Sequence, residues 1–187
     1  MNNVIEDMSR DEANTYFIGN PGSGLAKDFP AATRDYDAVT LYFNKAFSDL
    51  WLAQVSYTWS YNRGNYAGLF RPETLQLDPN INSDFDLISL LPNRTGPLPG
   101  DRTHVIKVFG AKEFVLTVSM SFNVGLTYKG RSGTPIEYLG SHLVYGSDEV
   151  FVLPRGSGGR MPWTHTIDAR AGFNYKFTKD NLVQVSV

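Results

Sequence analysis

The sequence contains no cysteine, no strong excess of charge of either sign and no long apolar run. Without cysteine the chain has no disulfides, no thiol catalysis and no cysteine-ligated metal. Its 17 basic and 19 acidic residues give a net charge of −2, which supplies no electrostatic attraction for nucleic acid. The longest apolar runs are far too short for a transmembrane helix. What remains to be explained is an aromatic content of 13% and its placement.

Strict alternation over residues 50–62 is the clearest pattern in the chain. A period of two predicts an extended strand whose two faces meet different surroundings. From Trp51 to Tyr61 such a strand spans roughly 33 Å. A tilt of about 40° reduces this to on the order of 25 Å, the height of the apolar band of an outer-membrane barrel. Tryptophan and tyrosine at both ends suit the two membrane–water interfaces. The apolar face carries Trp51, Ala53, Val55, Tyr57, Trp59 and Tyr61.

The same alternation predicts an all-β chain of about six long antiparallel strands. Short turns are expected at Ser48-Asp49, Ala111–Glu113 and Thr178–Asn181, and long irregular connections at 63–100 and 129–163. Short turns on one side and long loops on the other are typical of a transmembrane β-barrel, with the turns periplasmic and the loops extracellular. The predicted strands are Tyr36–Phe47, Leu50–Asn62, Asp101–Gly110, Phe114–Tyr128, His165–Phe177 and a last one from Leu182.

The predicted domain is one partial barrel over residues 1–187, with an extracellular loop and strand end at 1–34 and three hairpins at 35–187. The fifth strand carries three charged side chains and an amide on its polar face: Asp168, Arg170, Lys176 and Asn174. Such a face indicates a wide, wet interior. Six strands cannot close around it. The sequence therefore predicts a fragment of a larger barrel, which agrees with the lack of a signal peptide in 1–15 and a final strand that stops in mid-alternation.

The chain resembles the C-terminal barrel region of TonB-dependent outer-membrane receptors, in particular the Oar-like group with a carboxypeptidase-like N-terminal extension. The resemblance covers most of the chain from about Tyr16 onward, and its loop motifs are more specific than its strands. The similar segments are RDYDAVTLYFNKAFS at Arg34–Ser48, SYTWSYNRGNYAGLF at Ser56–Phe70, DPNINSDFDLISLLPNRTGPLPGDRTH at Asp78–His104, GTPIEYLG at Gly133–Gly140 and VLPRGSGGRMPW at Val152–Trp163.

This resemblance implies a barrel of about 22 strands in the outer membrane of a Gram-negative bacterium, occluded by an N-terminal plug. Such a receptor binds an extracellular ligand and imports it with energy relayed by the TonB complex. The partners implied are outer-membrane lipid, the TonB complex through the plug that this sequence lacks, and an unidentified ligand. The family has no catalytic residues to transfer, so we expect no enzyme and no cofactor.

Five loop residues are candidate ligand contacts. Tyr66, Phe70 and Tyr138 could stack on a ligand from the extracellular loops, and Arg155 and Arg160 frame a glycine-rich basic segment that could bind an anion. No catalytic, cofactor or metal residues are predicted. The acidic alternation at 78–86 lacks the glycine and glutamate of an EF-hand, and the three histidines have no metal-binding spacing.

Two other functions are consistent with the same residues. One is an outer-membrane β-barrel with an adhesive or structural role, which a plug upstream would argue against. The other is a soluble carbohydrate-binding β-sandwich, which a lipid-type apolar face running continuously around the sheet would exclude.

Overall fold

The computed structural model describes residues 2–5, 16–79, 83–177 and 182–187, and this part of the chain contains no α-helix. Three single 3₁₀ turns occupy Gly24–Ala26, Pro72–Thr74 and Ile88–Leu90. In the described ranges, none of the helical turns has the length and apolarity needed to cross a membrane. The strands are β1 Asn2–Ile5, β2 Tyr16–Gly19, β3 Arg34–Ser48, β4 Trp51–Gly64, β5 Gly96–Pro97, β6 His104–Thr117, β7 Met120–Arg131, β8 Leu139–His142, β9 Gly146–Phe151, β10 Thr164–Lys176 and β11 Leu182–Ser186.

The chain forms two compact units. The first, called the loop unit below, combines residues 1–37, 61–101 and 134–161. The second, called the sheet unit, combines residues 38–60, 102–133 and 162–187. The loop unit contains two small two-stranded sheets, β1 with β2 and β8 with β9.

The long strands form one open sheet in the order β11-β10-β7-β6-β4-β3, and β5 also pairs with β4. The prediction of an all-β chain with long antiparallel strands is confirmed. Five of the strands are 12 to 15 residues long, whereas strands of soluble proteins usually have about five or six. The two outermost strands of the described sheet, β3 and β11, do not pair with each other. The turn expected at Thr178–Asn181 lies outside the described residues.

The strand register places apolar side chains in continuous rows across the sheet unit. Val55 lies opposite Val108, Val108 opposite Tyr128, and Tyr128 opposite Ile167. The adjacent row, on the other face, joins Ser56, Lys107, Lys129 and Thr166. Because successive residues point to opposite faces, the sheet has one apolar face and one polar face. The predicted alternation is thus carried across strand after strand.

The end of the apolar face nearest the first turn carries Lys45, whose ammonium is hydrogen-bonded to residues of the turn. The Lys45 ammonium donates hydrogen bonds to the Ser48 carbonyl oxygen at 3.0 Å and to the Ser48 hydroxyl at 2.7 Å. It also lies 4.1 Å from the centre of the Trp51 ring. A lysine at the end of an apolar face whose ammonium binds polar groups is typical of snorkelling at an interface.

Two hairpin turns differ from the predicted positions. The first lies at Asp49-Leu50, where positive φ values of 52° and 65° match the left-handed conformation of a type I′ turn. The second was predicted at Ala111–Glu113, which is wrong: β6 continues to Thr117 and the turn is Val118-Ser119. A bulge between Val115 and Thr117 accompanies this turn.

The register explains why alternation misses this second turn. Phe114 pairs with Phe122 and Lys112 with Val124, so even-numbered residues occupy one face on both strands. The period of two therefore runs through the hairpin without interruption, and the pattern over residues 114–128 predicts a single strand. Val118 at the turn is 99% exposed but is not a typical turn residue.

Every buried hydrophobic residue of the described chain lies in the loop unit. These residues are Ala26, Phe29, Phe85, Leu87, Leu90, Leu98 and Phe151. The sheet unit instead exposes its apolar face, with Leu41 at 65%, Leu126 at 48% and Ile167 at 68%. A contiguous exposed apolar surface of this kind marks a membrane or interaction surface. It is the opposite of a sandwich, whose two inner faces pack on each other.

Candidate functional site

The loop unit is organised around a small apolar core. Ala26, Phe29 and Phe85 are buried together, and Tyr66 and Leu91 pack against them. These residues belong to two separate stretches of the chain, 1–37 and 61–101. Burial of their side chains is therefore one of the forces that fold long connections into a defined structure.

A buried network of four charged side chains joins segment 71–94 to β9. Arg71 and Arg94 both form ion pairs with Asp84, and Arg71 also pairs with Glu149. The Arg94 side chain also donates from Nε to the Leu90 carbonyl oxygen at 2.8 Å and from Nη2 to the Glu149 carbonyl oxygen at 3.2 Å. Arg71, Asp84 and Arg94 are each at most 2% exposed.

The network is electrically balanced, with two guanidinium groups and two carboxylates. Burying a charge is strongly unfavourable unless it is paired and hydrogen-bonded. The planar fork of arginine can bond several acceptors at once, and Arg71 uses it to reach the Ser83 hydroxyl at 2.9 Å and the Glu149 carbonyl oxygen at 3.1 Å. The pairing ties Arg71, Asp84 and Arg94 to Glu149 of β9.

A second buried pair lies beside the first network. The Arg155 guanidinium bonds Glu73 at 2.5 Å and lies 4.5 Å from the centre of the Phe151 ring. The side chains of Arg155 and Glu73 are each 1% exposed. The amide N–H of Gly156 donates to the Glu137 carboxylate at 2.7 Å. These contacts tie the glycine-rich segment that follows Arg155 to Glu73 and Glu137.

Burial changes the proton affinity of three groups in the loop unit. Burial raises the pKa of the Asp86 carboxyl above its usual 3.8, although the hydrogen bond from Tyr145 lowers this pKa. Burial also raises the pKa of the Glu137 carboxyl above its usual 4.5. Burial lowers the pKa of the Arg94 guanidinium, which the charge of Asp84 opposes. Both carboxyls bind a proton more readily in the folded unit than in the unfolded chain. Their stabilising contribution is therefore full below the usual pKa and is lost as the pH rises through the raised value.

The five predicted ligand contacts have different surroundings. Phe70 and Tyr138 are about half exposed and present aromatic surface. Tyr66 is half-buried, with its ring centre 6.2 Å from that of Phe85. Arg155 is enclosed in its ion pair with Glu73, so its charge is already balanced. Arg160, with a side chain 32% exposed, forms an ion pair with Asp101.

A cleft of about 560 Å³ lies in the loop unit beside β5. Its lining includes one acidic and one basic side chain that are exposed, Asp35 and Arg63, together with the ring of Tyr61 and the hydroxyl-bearing Thr33 and Thr95. Asp101 also lines the cleft, but it is buried and paired with Arg160.

In the sheet unit, a row of five rings lies at one end of the apolar face and is called the aromatic ladder below. Its members, in order, are Tyr57, His104, Trp163, His165 and Tyr128. Trp163 lies between the imidazoles of His104 and His165, with ring-centre distances of 5.9 Å to each and interplanar angles of 9° and 10°. The hydroxyls of Tyr57 and Tyr128 are hydrogen-bonded at 2.9 Å to Nδ1 of His104 and His165 respectively. Polar-tipped rings of this kind prefer a membrane–water interface.

Gly130 leaves room for the ladder, and this makes a local prediction. A Cβ at this position would lie 2.5 Å from the Tyr128 hydroxyl, so Gly130→Ala should swing the tyrosine away from His165. We expect loss of that hydrogen bond, worth about 1 kcal/mol, and a changed imidazole resonance of His165 in the full-length receptor labelled at histidine. Gly125→Ala is the control, because its nearest atoms lie 3.9 Å away. Equal His165 spectra in the two variants would contradict the prediction.

The long, amphipathic antiparallel strands define the sheet unit as a segment of an outer-membrane type of β-barrel. No protein-family profile and no solved structure matches the chain. Among curated proteins, the chain is 64% identical over all 187 residues to the TonB-dependent transporter Oar of Myxococcus xanthus. It spans 18% of the length of that protein. This identity supports the assignment of the chain as a segment of an Oar-like TonB-dependent receptor.

Proposed function

We propose that the sheet unit crosses the outer membrane of a Gram-negative bacterium as part of a TonB-dependent receptor. The observation that carries this proposal is the exposed apolar face, which is continuous over several strands and has no buried hydrophobic residue beneath it in the described part of the sheet unit. Lipid is the environment in which such a face is stable, because barrels place apolar side chains outward and polar ones inward.

In this proposal residues 63–100 and 129–163 are extracellular loops, and the turns at Asp49-Leu50 and Val118-Ser119 are periplasmic. Residues 1–34 contribute a further loop and a strand end to the same partial barrel. Lys45 and Trp51 lie at the periplasmic interface, and the aromatic ladder lies at the extracellular one. The match to a protein named a TonB-dependent transporter supports the outer-membrane location on which this arrangement rests.

The role proposed for the whole protein is capture of an extracellular ligand and its import with energy from the TonB complex. It is transport and not enzymatic catalysis. Within the loop unit, Phe70 and Tyr138 present the aromatic surface proposed to contact the ligand, together with the half-buried Tyr66. Arg155 and Arg160 contribute through the ion pairs that shape the loops, since their charges are already matched by Glu73 and Asp101.

Single cysteines in the full-length receptor test this topology. Leu143, fully exposed between β8 and β9, and Val118, exposed in the turn between β6 and β7, should lie on opposite sides of the membrane. We expect a membrane-impermeant maleimide to label Leu143→Cys on intact cells and to label Val118→Cys only after the outer membrane is permeabilised. Labelling of both on intact cells, or the reverse pattern, would overturn the proposed orientation. The receptor without the introduced cysteine gives the background.

A further inference from the structure

We infer that the cleft beside β5 is a binding site for a zwitterionic ligand that carries an ammonium and a phosphate, as in a phosphoethanolamine group. The cleft holds two charges of opposite sign, Asp35 and Arg63. In the described part of the chain neither of them forms an ion pair or a hydrogen bond, with each other or with another side chain. The assignment rests on the cleft alone and does not depend on whether the whole protein imports a ligand.

The walls of the cleft are fixed before any ligand arrives. The backbone N–H and the hydroxyl of Thr33 donate to the Asn65 side-chain oxygen at 2.6 Å and 3.2 Å, and Asn65 itself donates to the Ala31 carbonyl oxygen at 2.9 Å. In another part of the lining, the Asn62 N–H donates to Asp101 at 2.6 Å. Asn65 and Asp101 are buried. A preformed site of this kind loses little conformational entropy on binding.

Of the three charged residues that line the cleft, Asp101 is already paired, whereas Asp35 and Arg63 are available to a ligand. Asp101 is neutralised by Arg160 and by the Asn62 amide, so Asp35 is the carboxylate left to receive an ammonium. The Tyr61 ring, which also lines the cleft and is 45% exposed, adds an aromatic face that attracts a cation. Asp35 and this ring are the lining groups suited to an ammonium.

Two other lining residues, Arg63 and Thr95, are suited to a phosphate. The Arg63 guanidinium can donate two parallel hydrogen bonds to a phosphate, and the Thr95 hydroxyl can donate another. Backbone approaches closely here: a side chain at Gly64 would collide with the Thr33 carbonyl oxygen, and one at Gly96 with the Arg155 carbonyl oxygen. The volume of about 560 Å³ is in the range of small-molecule sites and accommodates a headgroup with its glycerol.

Calorimetry on the full-length receptor, purified in a maltoside detergent and freed of lipid, tests the inference. The probe is glycerophosphoethanolamine, compared with glycerol 3-phosphate and with ethanolamine. We expect the zwitterion to bind about tenfold more tightly than either half, because it engages two charges. Asp35→Asn should abolish its advantage over glycerol 3-phosphate, and Arg63→Gln should abolish its advantage over ethanolamine. Asp28→Asn and Lys27→Gln, at exposed positions outside the cleft lining, should change neither ratio.

A second measurement on the same variants distinguishes a headgroup held as part of a lipid from a free soluble ligand. Native mass spectrometry of receptor extracted from phosphatidylethanolamine or phosphatidylglycerol vesicles reports whether the headgroup is held as a lipid. Selective retention of phosphatidylethanolamine that is lost in Asp35→Asn supports a lipid ligand, and soluble binding without retention supports a free one. Binding of glycerol 3-phosphate as tight as that of the zwitterion, or no binding in either measurement, would overturn the inference.

Discussion

Arg94→Ala should unfold the loop unit while the barrel stays assembled. The substitution leaves Asp84, which is 1% exposed, with one of its two guanidinium partners removed, and it empties the space beside Phe151. Breaking a buried pair from one side usually costs about 3–5 kcal/mol, because a desolvated charge is left behind. Hydrogen–deuterium exchange on the full-length receptor should show lost protection in residues 71–79, 83–94 and 146–155, with the long strands unchanged.

Two further variants test whether the protection lost in Arg94→Ala is due to the loss of charge. Arg34→Ala removes an exposed arginine that makes one hydrogen bond, to the Ala67 carbonyl oxygen at 3.1 Å, and should leave exchange in the loop unit within experimental error. The double variant Arg94→Met with Asp84→Leu removes both charges and leaves Arg71 paired with Glu149. It should recover part of the lost protection, since a buried pair can be replaced by apolar groups of similar size. An unchanged exchange pattern in Arg94→Ala would show that the network does not hold the unit together.

Leu126→Arg should prevent stable insertion of the barrel, and Thr127→Arg should not. These neighbours lie in the middle of β7 on opposite faces, with Leu126 opposite Gly110 and Ala169 and Thr127 opposite Phe109 and Asp168. An arginine on the lipid side near the bilayer centre costs about 2–4 kcal/mol, whereas interior positions tolerate charge.

The measurement for this pair is the folded fraction of full-length receptor in isolated outer membranes, with the free energy of unfolding from urea titration. The two variants carry the same new side chain one residue apart, so any difference comes from the face and not from arginine itself. Equal loss of folded receptor in both would mean that Leu126 does not face lipid.

Much of the sheet follows from local pattern, because a strand's two faces are recorded in every second residue. The segment Trp51–Tyr61 is an example: its alternation predicts β4 and its apolar face. The same property hides the turn at Val118-Ser119, since both strands of that hairpin keep even-numbered residues on one face. Ser119 favours turns only weakly, and this turn has no glycine, asparagine or proline to give a stronger signal.

The loop unit was predictable only in composition. Arg71 and Glu149 are 78 residues apart in the chain, and no spacing rule connects partners at that distance. Prolines and glycines in 63–100 mark an irregular path without indicating that the path closes around a core. The exception is Val150-Phe151, a β-branched and an aromatic residue of the kind enriched in strands, which lie in β9. In the sequence, Asp35 and Arg63 are indistinguishable from ordinary surface charges, and only the fold brings them to one cleft. Likewise, the sequence does not show that His104 and His165 stack on either side of Trp163.

The balanced ion network also limits how the loops can diverge among related sequences. Its arginines come from residues 71–94 and one of its carboxylates from β9, so a change of charge in one loop requires a matching change in the other. Exposed neighbours such as Leu143 and Val144 are under no such constraint. Variation should therefore be correlated between the two loops at their buried positions and independent at their tips, which lets the exposed surface change while the framework beneath it is inherited as a unit.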